Sequence, residues 1–168
     1  MNLAASRIAI VGVTGVVGRE ILSILESLAV PPSAIVPLAS PKSVGTRIPY
    51  SGSSIQVREA TPQSFVGCRI ALFASSSAVA RELAPHAVEA GATVIDNSSE
   101  FRMRPGIPLV VPEINGHSAL RASPAPKVIA NPNCSTIILL TAIEPLRAAF
   151  GLRSVHVATY QAVSGAGR

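Results

Sequence analysis

Apolar residues in this chain cluster in short unbroken runs, separated by longer stretches where they recur at helical spacing. The run "RIAIVGV" (7–13) ends in glycine, the pattern of a strand buried on both faces. In "GREILSILESL" (18–28), Ile21, Leu22, Leu25 and Leu28 recur at helical spacing. Further strands are expected over 34–40, 69–74, 92–98, 108–114 and 127–132, and a small hairpin around Ser51-Gly52 within 46–60. A helix is expected over 77–91, closing on Gly91, with Pro85 bending or interrupting it. A second long helix is expected over 136–150. The alternating segment "SVHVATYQ" (154–161) reads as a strand of a different sheet. Strands alternating with helices imply βαβ units, right-handed crossovers and a doubly wound, mostly parallel sheet.

Composition narrows the picture. Hydrophobic residues make up 48% and charged residues 14% of the 168, with a mean hydropathy of +0.45. That is too apolar for a disordered chain, and rich for a small soluble domain, so some apolar surface is expected to lie against another segment or subunit. No apolar run reaches the roughly 18 residues of a membrane span. The N-terminal stretch carries Arg7 among its apolar residues and reads as a strand, not a signal peptide. A cytoplasmic location without a membrane partner is therefore expected. The net charge of +5 comes from scattered basic residues, and aromatics are only 4%. Nucleic acid is not an expected partner, since its footprint is a clustered basic patch. Cys68 and Cys134 form neither metal spacing nor a disulfide framework, and no metal is expected.

"GVTGVVG" places Gly12, Gly15 and Gly18 between the first strand and first helix, with Thr14, Val16 and Val17 completing the turn. Glycines there let backbone N–H groups approach a pyrophosphate at a helix N-terminus. In that strand-turn-helix context the motif points to a Rossmann-type dinucleotide site. An NAD site would carry a carboxylate at the end of the second strand. Here "LASPKSVG" has none, and Lys42 flanked by Ser40 and Ser43 suits a 2′-phosphate, so NADP is the expected cofactor. A solvated loop lysine is the plainer alternative. Ser75, in "ASSSA" after the third main strand, faces the same crevice, or else belongs only to a helix cap.

Cys134 sits between Asn131-Pro132-Asn133 and an apolar helix that Asn133 or Ser135 can cap. A helix N-terminus favours an anion, and the thiolate is the nucleophilic form of cysteine. Cys134 is thus a candidate for covalent catalysis, set against the commoner fate of a small buried hydrophobe. Cys68, entering a strand in "FVGCRIALF", is read as structural.

Taken together and in order, "GVTGVVG", "LASPKSVG", "DNSSEFR", "PLVVPEIN", "ANPNCSTI" and "TYQAVSGAG" resemble aspartate-β-semialdehyde dehydrogenase, from about residue 7 to the last. N-acetyl-γ-glutamyl-phosphate reductase has a similar layout, but Asn133 stands where that family typically has glycine. The resemblance implies that L-aspartate-4-semialdehyde, NADP⁺ and inorganic phosphate interconvert with 4-aspartyl phosphate, NADPH and a proton, the NADPH-dependent reductive direction leading towards lysine, methionine and threonine. It makes Cys134 the nucleophile that carries a thioester. Arg102 matches a phosphate-binding arginine, Gln161 a substrate-holding glutamine, and Ser164 and Gly165 a loop at the nicotinamide end. Asn133 is expected to orient the reacting group, or simply to cap the helix.

The resemblance further implies a Rossmann domain over 1–133, and from 134 to 168 the start of an α+β catalytic and dimerisation domain. The family's acid/base histidine lies in a second half, so His86, His117 and His156 receive no catalytic role. The chain is expected to be an amino-terminal half that binds NADP weakly and does not turn over alone, its full-length form a homodimer or homotetramer. The alternative is a non-catalytic NADP-binding or interaction module derived from such an enzyme.

Overall fold

The computed structural model describes residues 6–121 and 125–160. In chain order the elements are β1 (Ile8–Val11), α1 (Val16–Ser27), β2 (Ile35–Ala39), β3 (Arg47–Tyr50), β4 (Ser53–Gln56), β5 (Arg58–Glu59), β6 (Ile70–Phe73), α2 (Ser77–Glu89), β7 (Thr93–Asp96), α3 (Pro112–Arg121), β8 (Val128–Ala130) and α4 (Cys134–Phe150). Six strands form one sheet in the order β5-β2-β1-β6-β7-β8, every pair parallel. The chain begins at the centre, winds to one edge, returns to β6 and winds to the other. That is the doubly wound dinucleotide-binding order, whose switch point lies between β1 and β6. The fold is α/β and Rossmann-type, as the periodicity predicts.

The apolar strands divide their side chains between two cores. Ala9, Val11, Ala71, Phe73 and Val94 share a core with Leu83, Ala84 and Ala87 of α2, on one face of the sheet. Ile8 and Ile10 share another with Leu22 and Leu25 of α1, on the opposite face. Fully burying one such Leu stabilises the fold by about 1.5–3 kcal/mol, which is why α1 holds this face without any side-chain N-cap. The β3–β4 hairpin closes the α1 side: Ile48, Tyr50 and Ile55 join that core, and Tyr50 Oη donates to Val30 O at 2.7 Å. Its turn residues Ser51 and Gly52 both have positive φ, 48° and 70°, as a two-residue hairpin loop requires.

β2 contains a buried proline, Pro37, paired in register with Ile10. Leu38 O accepts from Gly12 N on the β1 side, and Ala39 O accepts from Ala60 N on the β5 side. Alternation then turns position 37 toward β5, whose pairing reaches only Leu38 and Ala39. The missing N–H of Pro37 thus faces a rung without an acceptor strand.

Four expectations are corrected. α1 begins at Val16, two residues before the expected start, because Gly15 takes the cap position with extended backbone. α2 is not interrupted at Pro85; Pro85 and Arg81, whose carbonyl loses its donor, are both exposed, so that carbonyl is open to solvent. The stretch 108–114 is not a strand: only Leu109 bridges Ala130, and α3 begins at Pro112. Pro at the first helical position followed by an acid is a helix-start signal that outweighs the apolar run. Finally, residues 154–160 pair with no strand among the described residues and are exposed, since alternation makes a strand only where a neighbour offers its backbone groups. α4 carries no buried residue, and Ile138 and Phe150 are 71% and 85% exposed.

Candidate functional site

The carboxyl ends of the parallel strands gather most of the residues singled out above. After β1 the backbone turns sharply: Gly12 has φ +86°, and a Cβ there would collide with the Ala74 carbonyl oxygen. A Cβ at Gly18 would collide with Gly12 O and lie 2.7 Å from Val13 Cα. These two glycines are therefore required for the close crossing of β1, α1 and the end of β6. Gly15 donates to Gly12 O at 3.0 Å and caps α1. By helix geometry the N–H groups of Val16, Val17 and Gly18 have no intrahelical acceptor. No side chain caps them, and the first turn carries no acid. Val16 and Val17 are 83% and 51% exposed, so this helix end is open to a ligand.

Beside it, Ser75 Oγ is buried and has no hydrogen-bond partner among the described residues. An orphaned hydroxyl costs free energy unless a ligand or water completes it. Ser76, not Ser75, caps α2, accepting from Val79 N at 3.4 Å. The cap reading of the serine cluster therefore belongs to Ser76. Beyond β2, Ser40, Pro41, Lys42 and Ser43 form a single tight turn closed by Ser43 N donating to Ser40 O at 2.9 Å. Ser40 and Lys42 are exposed, and the Ser40 side chain makes no cap bond. The open helix end, the orphaned hydroxyl and an exposed cation at the neighbouring strand end fit an anionic dinucleotide.

On the other side of the switch point, the ends of β7 and β8 are tied together. Asn131 N donates to Asp96 O at 2.8 Å, and Asn131 Nδ2 donates to Asn97 Oδ1 at 2.7 Å. Asn97 Nδ2 donates to Phe73 O at 2.9 Å, fixing that amide's orientation. Arg102 Nε donates to Asn131 O and its Nη2 to Asn97 O, both at 2.9 Å. Arg102 thus spends one edge of its guanidinium on main-chain carbonyls and keeps its remaining donors. Beneath it, Asp96 is fully buried and accepts from Ser98 N and Ser98 Oγ, at 3.1 and 2.7 Å. Burial pushes the Asp96 carboxyl above the usual range, against the pull of the Ser98 bonds and the Arg102 charge. Glu100 pairs with Arg81 at 2.7 Å and also with Arg104, and the Arg81 hydrogen bond holds its carboxyl below the usual range.

Two residues past Asn131, Asn133 caps α4. Its Oδ1 accepts from Ser135 N at 3.0 Å and Ser135 Oγ at 2.6 Å, and lies 3.8 Å from Cys134 Sγ. Cys134 is the first residue of this 17-residue helix, and it is exposed. Its position is three strand steps from β1, about 14 Å at the usual spacing, on the same edge of the sheet. Cys68 differs: it is 4% exposed, and burial raises its thiol above the ordinary value despite Arg7 and Arg58 nearby.

Gly12, Gly15, Val16, Val17 and Ser75 therefore stand together at the ends of β1 and β6 and the start of α1, with Thr14 in the turn between and the Ser40–Ser43 turn at the next strand end. Arg102, Asn133 and Cys134 cluster at the ends of β7 and β8. Gln161, Ser164 and Gly165 lie outside the described residues. Of the histidines, His86 meets Glu89 at 3.3 Å; His117 lies within α3, not a loop, and His156 lies in no strand. Asp96, Asn97 and Asn131 were not anticipated as parts of the site. Asn97 and Asn131 stand 34 positions apart, and only their positions at the ends of two apolar runs hinted at a meeting. No group of three or more metal-binding side chains occurs among the described residues.

Comparison with known proteins bears on this geometry. The family model described as semialdehyde dehydrogenase, NAD binding domain, matches residues 7–122. The aspartate-semialdehyde dehydrogenase of Bacillus subtilis is 48% identical over 160 residues, covering 95% of this chain and 45% of that protein. The Campylobacter jejuni enzyme of the same name is 47% identical over 164 residues, covering 96% and 48%. Among solved structures, aspartate semialdehyde dehydrogenase II from Vibrio cholerae superposes with a TM-score of 0.87 at 40% identity, covering 96% and 48%. The same Vibrio enzyme complexed with ASA gives 0.79 at 38%, covering 87% and 47%. An aspartate semialdehyde dehydrogenase with NADP from Candida albicans gives 0.68 at 24%, covering 88% and 48%, a likeness of fold. The chain spans about half the length of the curated relatives it matches.

Proposed function

The chain belongs to the semialdehyde dehydrogenase family, and on that premise we propose that it carries the cofactor site and the nucleophile of an NADP-dependent aspartate-semialdehyde dehydrogenase of the cytoplasm. The observation that carries the proposal is the position of Cys134, exposed at the first residue of α4, on the same sheet edge as the glycine turn. Residues 1–133 are the nucleotide domain in this reading, and the catalytic domain opens at Cys134.

Bound NADP would supply the two-electron exchange between aldehyde and acyl levels. Gly12, Thr14, Gly15, Val16 and Val17 would hold its pyrophosphate against the N-terminus of α1, with Ser75 Oγ completing the crevice. Lys42, Ser40 and Ser43 would take the 2′-phosphate, and Ser164 and Gly165 the nicotinamide end. The Cys134 sulfur would bond the aldehyde carbon of L-aspartate-4-semialdehyde and hold the acyl group as a thioester until inorganic phosphate displaces it as 4-aspartyl phosphate. The sulfur stands at the N-terminal end of α4, and Asn133 holds that helix turn closed. The Arg102 donors not spent on main chain would meet the phosphate, and Gln161 would hold the substrate. A homodimer or homotetramer is the expected assembly of the full-length form.

The test is calorimetric titration of the protein with NADP⁺ and NAD⁺, beside Lys42→Ala. NADP⁺ is expected to bind more tightly, by roughly tenfold or about 1.4 kcal/mol, and Lys42→Ala to abolish the difference. NAD⁺ binding as tightly as NADP⁺ to the wild type would remove the NADP assignment. Binding of neither would leave an interaction module as the better reading.

A further inference from the structure

The main chain just before Cys134 is held from three directions, and one side chain links two of them. Asn131 is fixed at its N–H by Asp96 O, at its carbonyl by Arg102 Nε, and at its side-chain amide by Asn97 Oδ1. Asn97 is in turn anchored on β6, since both its backbone N and its Nδ2 donate to Phe73 O, at 3.0 and 2.9 Å. Its carbonyl accepts the second Arg102 bond. The ends of β6, β7 and β8 therefore converge on the Asn97 amide, whose two ends are both used and whose orientation is thereby determined. Pro132 and Asn133 alone separate this knot from Cys134. The tie matters here because α4 buries none of its residues and so has no core to locate its first turn.

We propose that Asn97 is a positioning residue for Cys134: through Asn131 it fixes the turn that presents the sulfur at the first position of α4. The inference rests on the reading of Cys134 as the reactive group. It also gives Arg102 a second part, as a brace of the same turn as well as an anion donor. If the turn loosens, the Asn133 cap opens, and the sulfur loses its fixed place at the first position of the helix. The reactivity of Cys134 then falls without unfolding of the sheet.

The experiment measures alkylation rates of Cys134 and Cys68 by iodoacetamide at fixed neutral pH, by peptide mapping, with the thermal midpoint followed in parallel. Asn97→Ala is expected to slow Cys134 by about fivefold, the factor that goes with losing a helix cap, with Cys68 unchanged. Asn97→Asp keeps an oxygen facing Asn131 Nδ2 but loses the donor to Phe73 O, and should recover only part of the rate. Asn131→Ala removes only the partner side chain, leaves both backbone bonds, and should repeat the loss should Asn97→Ala fail to fold. An unchanged Cys134 rate in the alanine variants overturns the inference, and so do Cys134 and Cys68 accelerating together, which reports general loosening. Wild-type Cys134 reacting no faster than an unstructured cysteine peptide overturns the nucleophile reading and this inference with it. Selective wild-type reaction that the alanine variants leave intact overturns this inference alone.

Discussion

Single residues at this site are constrained by what stands next to them more than by their type. Gly12 and Gly45 have nearly the same φ, +86° and +85°, but only Gly12 has backbone where a Cβ would go. Gly45→Ala is expected to cost about 1–2 kcal/mol for the left-handed backbone alone. Gly12→Ala should cost clearly more in urea unfolding, and a smaller loss than Gly45→Ala would mean the crossing is looser than described. Two carboxyls make opposite predictions. Asp96 has its value raised above 3.8 by burial, so the folded state holds its proton more firmly. Its contribution to stability is fullest below 3.8 and is lost as pH rises through the folded value. Glu100, 4% exposed between two arginines, has its value lowered from 4.5. Its contribution is present above 4.5 and lost as pH falls through the folded value. As pH rises above 3.8, Asp96→Asn should therefore steepen the rise of the urea midpoint with pH, and below 4.5 Glu100→Gln should flatten it. The glycine turn was legible in the sequence because its meaning is local. The Asn97–Asn131 pair was not, because each asparagine reads as an ordinary polar residue after a strand until β7 and β8 lie side by side.

At the scale of elements, periodicity located the strands well where both faces are buried, as in β1 and β2, and where one is buried and the other half-buried, as in β6 and β7. It failed where an apolar run had another cause. "PLVVPEI" is apolar because Val110 and Val111 are buried beside β8 and the start of α3, while Pro112 dictates the helix. "SVHVATYQ" has a strand's alternation without a neighbouring strand among the described residues. The reverse case is β2, where proline occupies a strand interior. Pro37→Val would improve strand propensity by up to about 1 kcal/mol, yet it would introduce a buried N–H on the rung that β5 does not reach. An unsatisfied buried donor costs about 1–3 kcal/mol, so a net loss of stability is expected. A more stable Pro37→Val protein in chemical denaturation would mean that the donor finds an acceptor there.

For the whole molecule, two regimes of packing coexist. Both faces of the central sheet are closed by α1, α2 and the hairpin, whereas α4 and the residues after it present Ile138, Leu146, Phe150, Leu152 and Tyr160 to solvent. The expectation that some apolar surface lies against another segment or subunit has its candidate in these exposed residues. The protein is expected to bind a hydrophobic dye strongly, and the paired change Ile138→Ser and Phe150→Ser should remove most of that signal while leaving the thermal midpoint nearly unchanged. Undiminished dye binding would locate the accessible apolar surface elsewhere. The strand order carries a further consequence, in time. β1 is in the middle of the sheet and comes first in chain order among the described strands, but the neighbour on its second side is Ile70–Phe73. The centre of the structure must therefore wait, half-paired, while more than sixty residues are synthesised behind it, and parallel pairings across such loops form slowly. During that interval Ile8, Ala9, Ile10 and Val11 form an open apolar edge, paired on the β2 side alone.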